Sequence, residues 1–211
     1  MGYHRAGFDV VGVDINPQPN YPFEFHQGDA LRVLDWGDFP VGEYFDATHA
    51  SPPCQAYTRA GALRTDKREH PDLIGPVREL LRTIGLPYVI ENVPGAPLVD
   101  PVQVCMTGLH GFNPGRMLDW ELQRHRLFES NVPLVGTRCS HSDKPTISVV
   151  GHGATKATRE RLGRNPSIAE KRQAMGIDWM NRDELSEAIP PAYTEWIGVQ
   201  FVKHVQADVA A

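Results

Sequence analysis

Short apolar runs recur along the first two thirds of the chain, and they predict β-strands. They are rich in β-branched residues, and the first three are each followed by a turn that contains Pro or Gly. The predicted strands cover residues 9–14, 23–26, 45–51, 88–92, 102–106 and 126–130.

Apolar residues spaced three and four apart predict helices between and after these strands. Segment 72–85 places its apolar residues on one face, and these are Ile74, Val77, Leu80, Leu81 and Ile84. Segments 168–175 and 191–205 are also predicted to be helical, and residues 1–6 have the pattern of a helix end closed by Gly7. Strands that alternate with helices predict an α/β sheet with helices on its faces.

The composition is that of an ordinary soluble domain, with 41% hydrophobic and 22% charged residues in 211. No apolar run approaches the roughly 20 residues that span a bilayer, and no secretory signal precedes the first strand. The three cysteines form an odd, sparse set, which argues against a disulfide framework. We therefore expect a reducing compartment, the cytoplasm of a bacterial or phage-infected cell.

Charge is distributed unevenly along the chain. The net charge is −5, whereas a generic nucleic-acid binder is basic. Two stretches, 59–69 and 156–172, nevertheless carry an excess of Lys and Arg. They fit a polyanion bound on one face, and equally two solvated surfaces.

Four chemically capable side chains lie at or just past predicted strand ends, and they are Asp14, Asp29, Cys54 and Glu91. In a sheet of this class, ligands bind beyond the carboxyl ends of the strands. We therefore expect the four to converge on one edge.

Cys54 and Glu91 are the residues most suited to catalysis. Two prolines stiffen the backbone before Cys54, which favours an exposed thiol over a buried one. A cleft at the end of an apolar strand would raise the pKa of Glu91 and let it donate a proton near neutral pH. On a strand, Arg124 and Arg126 would share one face, so both guanidiniums would point into one site or at one phosphate.

Four short motifs follow one another along the chain: Pro53-Cys54-Gln55, Glu91-Asn92-Val93, Arg124-x-Arg126 and Ile189-Pro190-Pro191. Their order and spacing resemble the C5-cytosine-specific DNA methyltransferase family, in particular its compact phage and bacterial members. The resemblance implies a Rossmann-like, S-adenosylmethionine-dependent methyltransferase sheet with a small irregular target-recognition insert. It divides the chain into a catalytic core (1–130), a target-recognition region (131–175) and a C-terminal segment that returns to the core (176–211).

The resemblance also implies a mechanism on a cytosine flipped out of the DNA helix. The Cys54 thiolate would add to C6, and Glu91 would hold and protonate N3. Arg126 would hold O2, and Arg124 or Arg126 would favour the thiolate. Asn92 would order the loop that carries Cys54, and that loop, 55–68, could close over DNA.

The same comparison implies a site for S-adenosylmethionine. Asp14 would bind the ribose hydroxyls and Asp29 the adenine amino group, while Pro53 would lie against the cofactor. Ile15, Ala30 and Ile189 complete the implied set of cofactor-binding residues.

One part of the family pattern is missing from this chain. The family opens with a central strand and a Phe-x-Gly-x-Gly loop, whereas Met1 to Phe8 match the helix that follows that loop. We expect either that Met1 is an internal methionine of a longer reading frame or that the chain is a short form with weak cofactor binding.

The implied partner is double-stranded DNA, bound by a monomer that a cognate restriction enzyme could accompany. Two alternatives remain open: methylation of RNA cytosine, and a catalytically silent, truncated DNA-binding form. Membrane partners are not expected. A zinc site from Cys105, His110, Cys139 and His141 is conceivable, but their spacing matches no standard zinc finger. A buried cysteine and surface histidines explain these residues equally simply, and no metal site is predicted.

Overall fold

The computed structural model describes residues 1–35, 41–57, 71–115, 119–149 and 156–209. Six strands lie at the predicted positions: β4 has its predicted bounds, three strands are shorter than predicted, one is shifted by one residue and the last begins one residue earlier. They are β1 (Val11–Asp14), β2 (Glu24–Gln27), β3 (Thr48–Ala50), β4 (Tyr88–Asn92), β5 (Val102–Cys105) and β6 (His125–Ser130).

Eight helices lie in the described part of the chain, four at predicted positions and four short ones elsewhere. They are α1 (Gly2–Arg5), α2 (Ala30–Asp35), α3 (Val41–Tyr44), α4 (Ile74–Ile84), α5 (Lys156–Leu162), α6 (Ile168–Met175), α7 (Arg182–Glu187) and α8 (Pro191–Val209). Gly7 and Gly85 follow α1 and α4 with positive φ angles of 99° and 79°, which L-residues rarely adopt. None of these helices is long and apolar enough to cross a membrane.

The strands form two sheets, which makes the molecule a mixed α/β structure. Strands β1 and β2 pair in parallel, with Asp14 opposite Gln27. The other four pair in the order β3-β4-β6-β5, in which β3 and β4 are parallel and β6 is antiparallel to both β4 and β5. We expected one sheet, and the described strands leave β1–β2 separate from the other four.

Strand β4 is the centre of the hydrophobic core, and all five of its residues are buried. One cluster of buried side chains joins Val89 to Phe128 of β6 and to Tyr193 and Phe201 of α8. A second cluster packs Tyr88 and Ile90 against α4, whose Ile74, Val77 and Leu81 are buried as its periodicity predicts. Helices and loops thus cover both faces of this strand, as is usual in α/β sheets.

Region 131–175 contributes to the same core. Residues 131–149 contain no helix or named strand, as the composition predicts, and α5 and α6 follow at Lys156 and Ile168. Ile147, Val149 and Met175 nevertheless belong to the main cluster around β4. The assignment of this region to target recognition remains a prediction.

Helices α1 and α8 pack closely, because a glycine lies at each contact. A Cβ on Gly2 would lie 2.1 Å from the carbonyl oxygen of Pro191, and one on Gly198 would lie 2.7 Å from the Cβ of Ala6. This contact brings Tyr3 of α1 next to His49 of β3.

Candidate active site

The pairing of β3, β4 and β6 determines which side chains meet. Because β3 and β4 are parallel, the loop after β3, which carries Cys54, leaves the sheet at the same edge as Glu91 and Asn92. Because β6 is antiparallel to β4, it begins at that edge, and Asn92 lies opposite Leu127. All five predicted catalytic residues, Cys54, Glu91, Asn92, Arg124 and Arg126, therefore lie at this one edge.

Glu91 and Arg126 form a buried ion pair at this edge. The Nε atom of Arg126 lies 2.7 Å from Oε1 of Glu91, and the two side chains are only 14% and 7% exposed. Burial raises the pKa of Glu91, although Arg126, Arg124 and a hydrogen bond from Ser51 each act to lower it. The carboxyl can therefore hold a proton at a higher pH than an ordinary glutamate can.

Arg124 is a buried cation close to Cys54. Its pKa falls to about 10, first because of burial and then because of the nearby charge of Arg126, so it stays charged at neutral pH. Tyr193 donates to its main-chain oxygen (2.5 Å), and its Nη1 lies 3.5 Å from the sulfur of Met175. Its Nε has no hydrogen-bond partner among the described residues, which leaves a buried donor for a ligand.

Hydrogen bonds hold the loop that carries Cys54 at both of its described ends. Nδ2 of Asn92 donates to the main-chain oxygen of Pro52 (3.0 Å), and the buried Asn92 also accepts from the main chain of Val93. Further along, the hydroxyl of Tyr57 donates to the carboxylate of Asp72. Between these anchors the thiol of Cys54 is half-buried. Residues 58–70, which include most of the predicted DNA-closing loop and the basic stretch 59–69, lie outside the described residues.

A series of hydrogen-bonded polar side chains leads from the half-buried Tyr3 and His49 through the exposed Ser51 to Glu91, and the sequence did not point to it. Burial lowers the pKa of His49 to about 4, so its ring is neutral at pH 7 and carries one N–H. Nδ1 of His49 lies 2.6 Å from the hydroxyl of Tyr3, and Nε2 lies 3.0 Å from that of Ser51. Ser51 in turn hydrogen-bonds Glu91.

The protonation states determine which group donates in each of these hydrogen bonds. Burial raises the pKa of Tyr3, so its hydroxyl keeps its proton and donates it to Nδ1 of His49. The imidazole must then carry its own proton on Nε2 and donate to Ser51, whose hydroxyl donates to Glu91. Three donors in series thus orient the carboxylate.

The predicted cofactor residues lie on the other, two-stranded sheet. Asp14 and Asp29 are at the same edge, since β1 and β2 are parallel and the N–H of Gly28 donates to the main-chain oxygen of Asp14 (2.9 Å). The exposed Ala30 begins α2, and Ile15 is 65% exposed. This edge is open to solvent, unlike the edge around Glu91.

The other two predicted cofactor residues differ in their surroundings. Pro53 is exposed beside Cys54, whereas Ile189 is half-buried and packs against the main core cluster just before α8. The structure thus gives Pro53 a position next to the thiol and gives Ile189 a role in packing.

Much of the charge in basic stretch 156–172 is engaged within the protein. Arg164 pairs with Glu170 at 2.7 Å, and Arg172 donates to the main-chain oxygen of Met180. Lys171 is buried. A polyanion on this surface would meet mainly the exposed Lys156, Arg159 and Arg161, so the sequence overstates the available positive charge.

An open cavity of about 250 Å³ lies at the opposite edge of the sheet, where it is lined by residues 42–46 and by Leu86, Pro87 and Val205. Apart from Val205 of α8, these residues precede β3 and β4, whereas Cys54 follows β3 and Glu91 lies near the end of β4, so the cavity does not include the candidate site. No model of a known protein family matches this chain, and no curated protein matches it significantly.

Proposed function

We propose that the chain is a DNA cytosine-C5 methyltransferase that uses S-adenosylmethionine and has the Rossmann-like sheet of that class. One observation carries the proposal: a half-buried thiol, a carboxyl with a raised pKa and two arginines occupy one sheet edge. Addition of a thiolate to C6 of cytosine requires a nucleophile, a proton for N3 and positive charge nearby, and these groups provide all three.

The residues act in a definite order on a flipped-out cytosine. The Cys54 thiolate, stabilised by the charge of Arg124, adds to C6 while the proton held by Glu91 passes to N3. Electron density then accumulates at C5. Arg126 keeps the carboxyl in place and offers its remaining N–H groups to the base oxygen. Once C5 carries the methyl group, loss of the C5 proton re-forms the C5–C6 double bond, the S–C6 bond breaks to release the Cys54 thiolate, and N3 returns its proton to Glu91.

The two-stranded sheet fits the nucleoside half of the proposed cofactor. Asp14 and Asp29 place two carboxylates at the carboxyl edge of parallel strands, where sheets of this class bind ribose, and the exposed Ile15 offers apolar surface for a purine. When bound, S-adenosylmethionine supplies an electrophilic methyl group. Within the described part of the chain, β1 and β3 each pair on one side only, which is compatible with the additional strand that the resemblance implies.

The decisive experiment is nucleoside mass spectrometry on DNA from methylation-free cells. The cells would express the chain, its reading frame extended upstream to include the opening strand and glycine loop, and the variants Cys54→Ser and Glu91→Gln. We expect 5-methylcytosine in DNA with an active form and its loss in both variants. Glu43→Gln, on the exposed surface of α3, is the matched control and should leave methylation unchanged.

The same samples separate the alternatives. Methylated cytosine in RNA and none in DNA would mean that the substrate is RNA and that the proposed mechanism still applies. Soluble protein that binds DNA without modifying DNA or RNA would indicate a silent binding form. A covalent complex with DNA that contains 5-fluorocytosine would test the nucleophile directly, because fluorine cannot leave C5 as a proton does. Its formation with Cys54→Ser would contradict the assigned role of Cys54.

A further inference from the structure

Two cysteines and two histidines from separate parts of the sequence meet beside the β5–β6 pair. Cys105 ends β5, and His125, the first residue of β6, is its direct pairing partner. Cys139 and His141 lie on the loop that follows β6. One nitrogen or sulfur atom from each of the four lies within 4.8 Å of the others.

The spacing is close to that of a tetrahedral metal site. Sγ of Cys105 lies 3.3 Å from Nε2 of His141, and Nε2 of His125 lies 3.2 Å from Sγ of Cys139. Zinc bonds of about 2.0–2.3 Å put neighbouring ligand atoms of a tetrahedron about 3.3–3.8 Å apart. Small side-chain movements would therefore bring all four atoms into bonding position.

Hydrogen bonds fix the loop that carries two of these residues. The main chain of Thr137 donates to that of Gln103 (2.9 Å), and the hydroxyl of Thr137 accepts from the N–H of Cys105 (2.8 Å). Thr107 accepts from the main chain of Ser140 at 3.1 Å. These hydrogen bonds hold the loop that carries Cys139 and His141 against the strand that carries Cys105.

Two glycines allow this close approach of loop and strand. A Cβ on Gly136 would lie 2.4 Å from the main-chain oxygen of Gln103, and one on Gly108 would lie 2.1 Å from that of Arg138. Any larger residue at either position would push the loop away from β5 and separate Cys139 and His141 from Cys105.

We propose that Cys105, His125, Cys139 and His141 bind one Zn²⁺ ion in a structural site. Two thiolates and two imidazoles are the ligand set that zinc prefers, and hard cations such as Mg²⁺ prefer oxygen. Four protein ligands fill a tetrahedron and leave no position for water or substrate, so the site is structural and not catalytic. This proposal stands independently of the proposed methyltransferase activity.

The position of the site gives it a consequence for the neighbouring edge. Successive side chains of a strand point to opposite faces, so His125 faces the zinc ligands while Arg124 and Arg126 face the other way. The metal would therefore fix the start of β6, and with it the two arginines beside Glu91. It would also hold the beginning of region 131–175 against β5.

The test is elemental analysis of the full chain, purified under reducing conditions from cells grown with ordinary zinc. We expect about one zinc per chain, and its loss in Cys139→Ser and His141→Ala. His110→Ala is the matched control, because His110 is an exposed histidine five residues after Cys105 in the sequence and is not part of the cluster. Full zinc retention in both cluster variants would overturn the proposal.

A second measurement needs no variant, so a failure of the variants to fold cannot hide the answer. The wild-type chain would be stripped with a chelator and titrated with Co²⁺, whose tetrahedral thiolate complexes have characteristic absorption bands. We expect these bands to saturate at about one equivalent and to disappear on addition of Zn²⁺. Absence of both zinc and the cobalt bands, or a Cys105–Cys139 disulfide in the metal-free protein as isolated, would refute the site.

Discussion

The two sheet edges that carry the predicted functional residues differ in how they are held. At the first edge Glu91 and Asn92 are buried, and contacts within the chain hold them: the ion pair of Glu91 with Arg126, its hydrogen bond with Ser51, and the hydrogen bond from Asn92 to Pro52. The edge around Asp14 belongs to a two-stranded sheet, and Val13 and Ile15 beside it are 37% and 65% exposed. The comparison teaches that the chain itself orients the groups proposed for covalent chemistry, whereas it leaves the edge proposed for the nucleoside open to solvent.

Breaking the buried ion pair should produce the largest effect. Arg126→Ala leaves Glu91 in a buried position without its closest cation, and we expect a loss of about 3–5 kcal/mol in the free energy of unfolding at pH 7. Urea denaturation measures this loss. Arg164→Ala, which removes an exposed ion pair with Glu170, is the control and should cost far less. Equal losses in the two variants would mean that solvent screens the ion pair between Arg126 and Glu91 as strongly as it screens the exposed pair.

The buried His49 should make stability depend on pH. Its pKa of about 4 in the folded state is below its ordinary value of 6.5, so the folded chain binds fewer protons than the unfolded chain. Its contribution is fully present above pH 6.5 and is lost as the pH falls towards 4. The loss amounts to about 3 kcal/mol.

Unfolding measured from pH 7.5 to 4 in the wild type and in His49→Gln checks this slope. Glu91 contributes in the opposite direction, because its pKa is raised, so the difference between the two proteins isolates His49. Parallel pH curves would show that the imidazole is not buried in its neutral form.

Removing the amide of Asn92 should loosen the Cys54 loop. Asn92→Ala deletes the hydrogen bond to the buried main chain of Pro52, and we expect a loss of about 1–3 kcal/mol. Hydrogen exchange of the amides of residues 54–57 should accelerate more than that of the α4 main chain. Uniform acceleration in both segments would assign Asn92 to the global core and not to the loop.

The smallest effect on stability is expected at the open edge. Asp14→Asn should change the free energy of unfolding by less than about 0.5 kcal/mol, since the side chain is only half-buried. If the carboxylate holds ribose hydroxyls, the dissociation constant for S-adenosylmethionine should rise about tenfold or more, as calorimetry can measure. Unchanged affinity would mean that S-adenosylmethionine does not bind at the end of β1.

Local sequence was sufficient for the positions of all six strands and of α1, α4, α6 and α8. Strands such as β4 begin with an apolar run, here Tyr88 to Ile90, and α4 has a clear apolar face. The short helices α2, α3, α5 and α7 were missed because segments of four to seven residues are too short for helical periodicity to show. The antiparallel direction of β6 could not be predicted either, since the sequence of a single strand does not indicate the direction in which it pairs.

For the candidate site, the sequence by itself determined the chemically distinctive residues, because Cys54, Glu91 and the Arg124-x-Arg126 pair lie at strand ends or in short motifs. Only the tertiary structure brought Tyr3, His49 and Ser51 to Glu91, since Tyr3 and His49 are 46 residues apart. The tertiary structure also places His125, and not His110, in the group of two cysteines and two histidines, because the register of β5 and β6 sets Cys105 opposite His125. The sequence specifies the type of each side chain directly. The neighbours of that side chain depend on strand pairing and on packing between residues that are far apart along the chain.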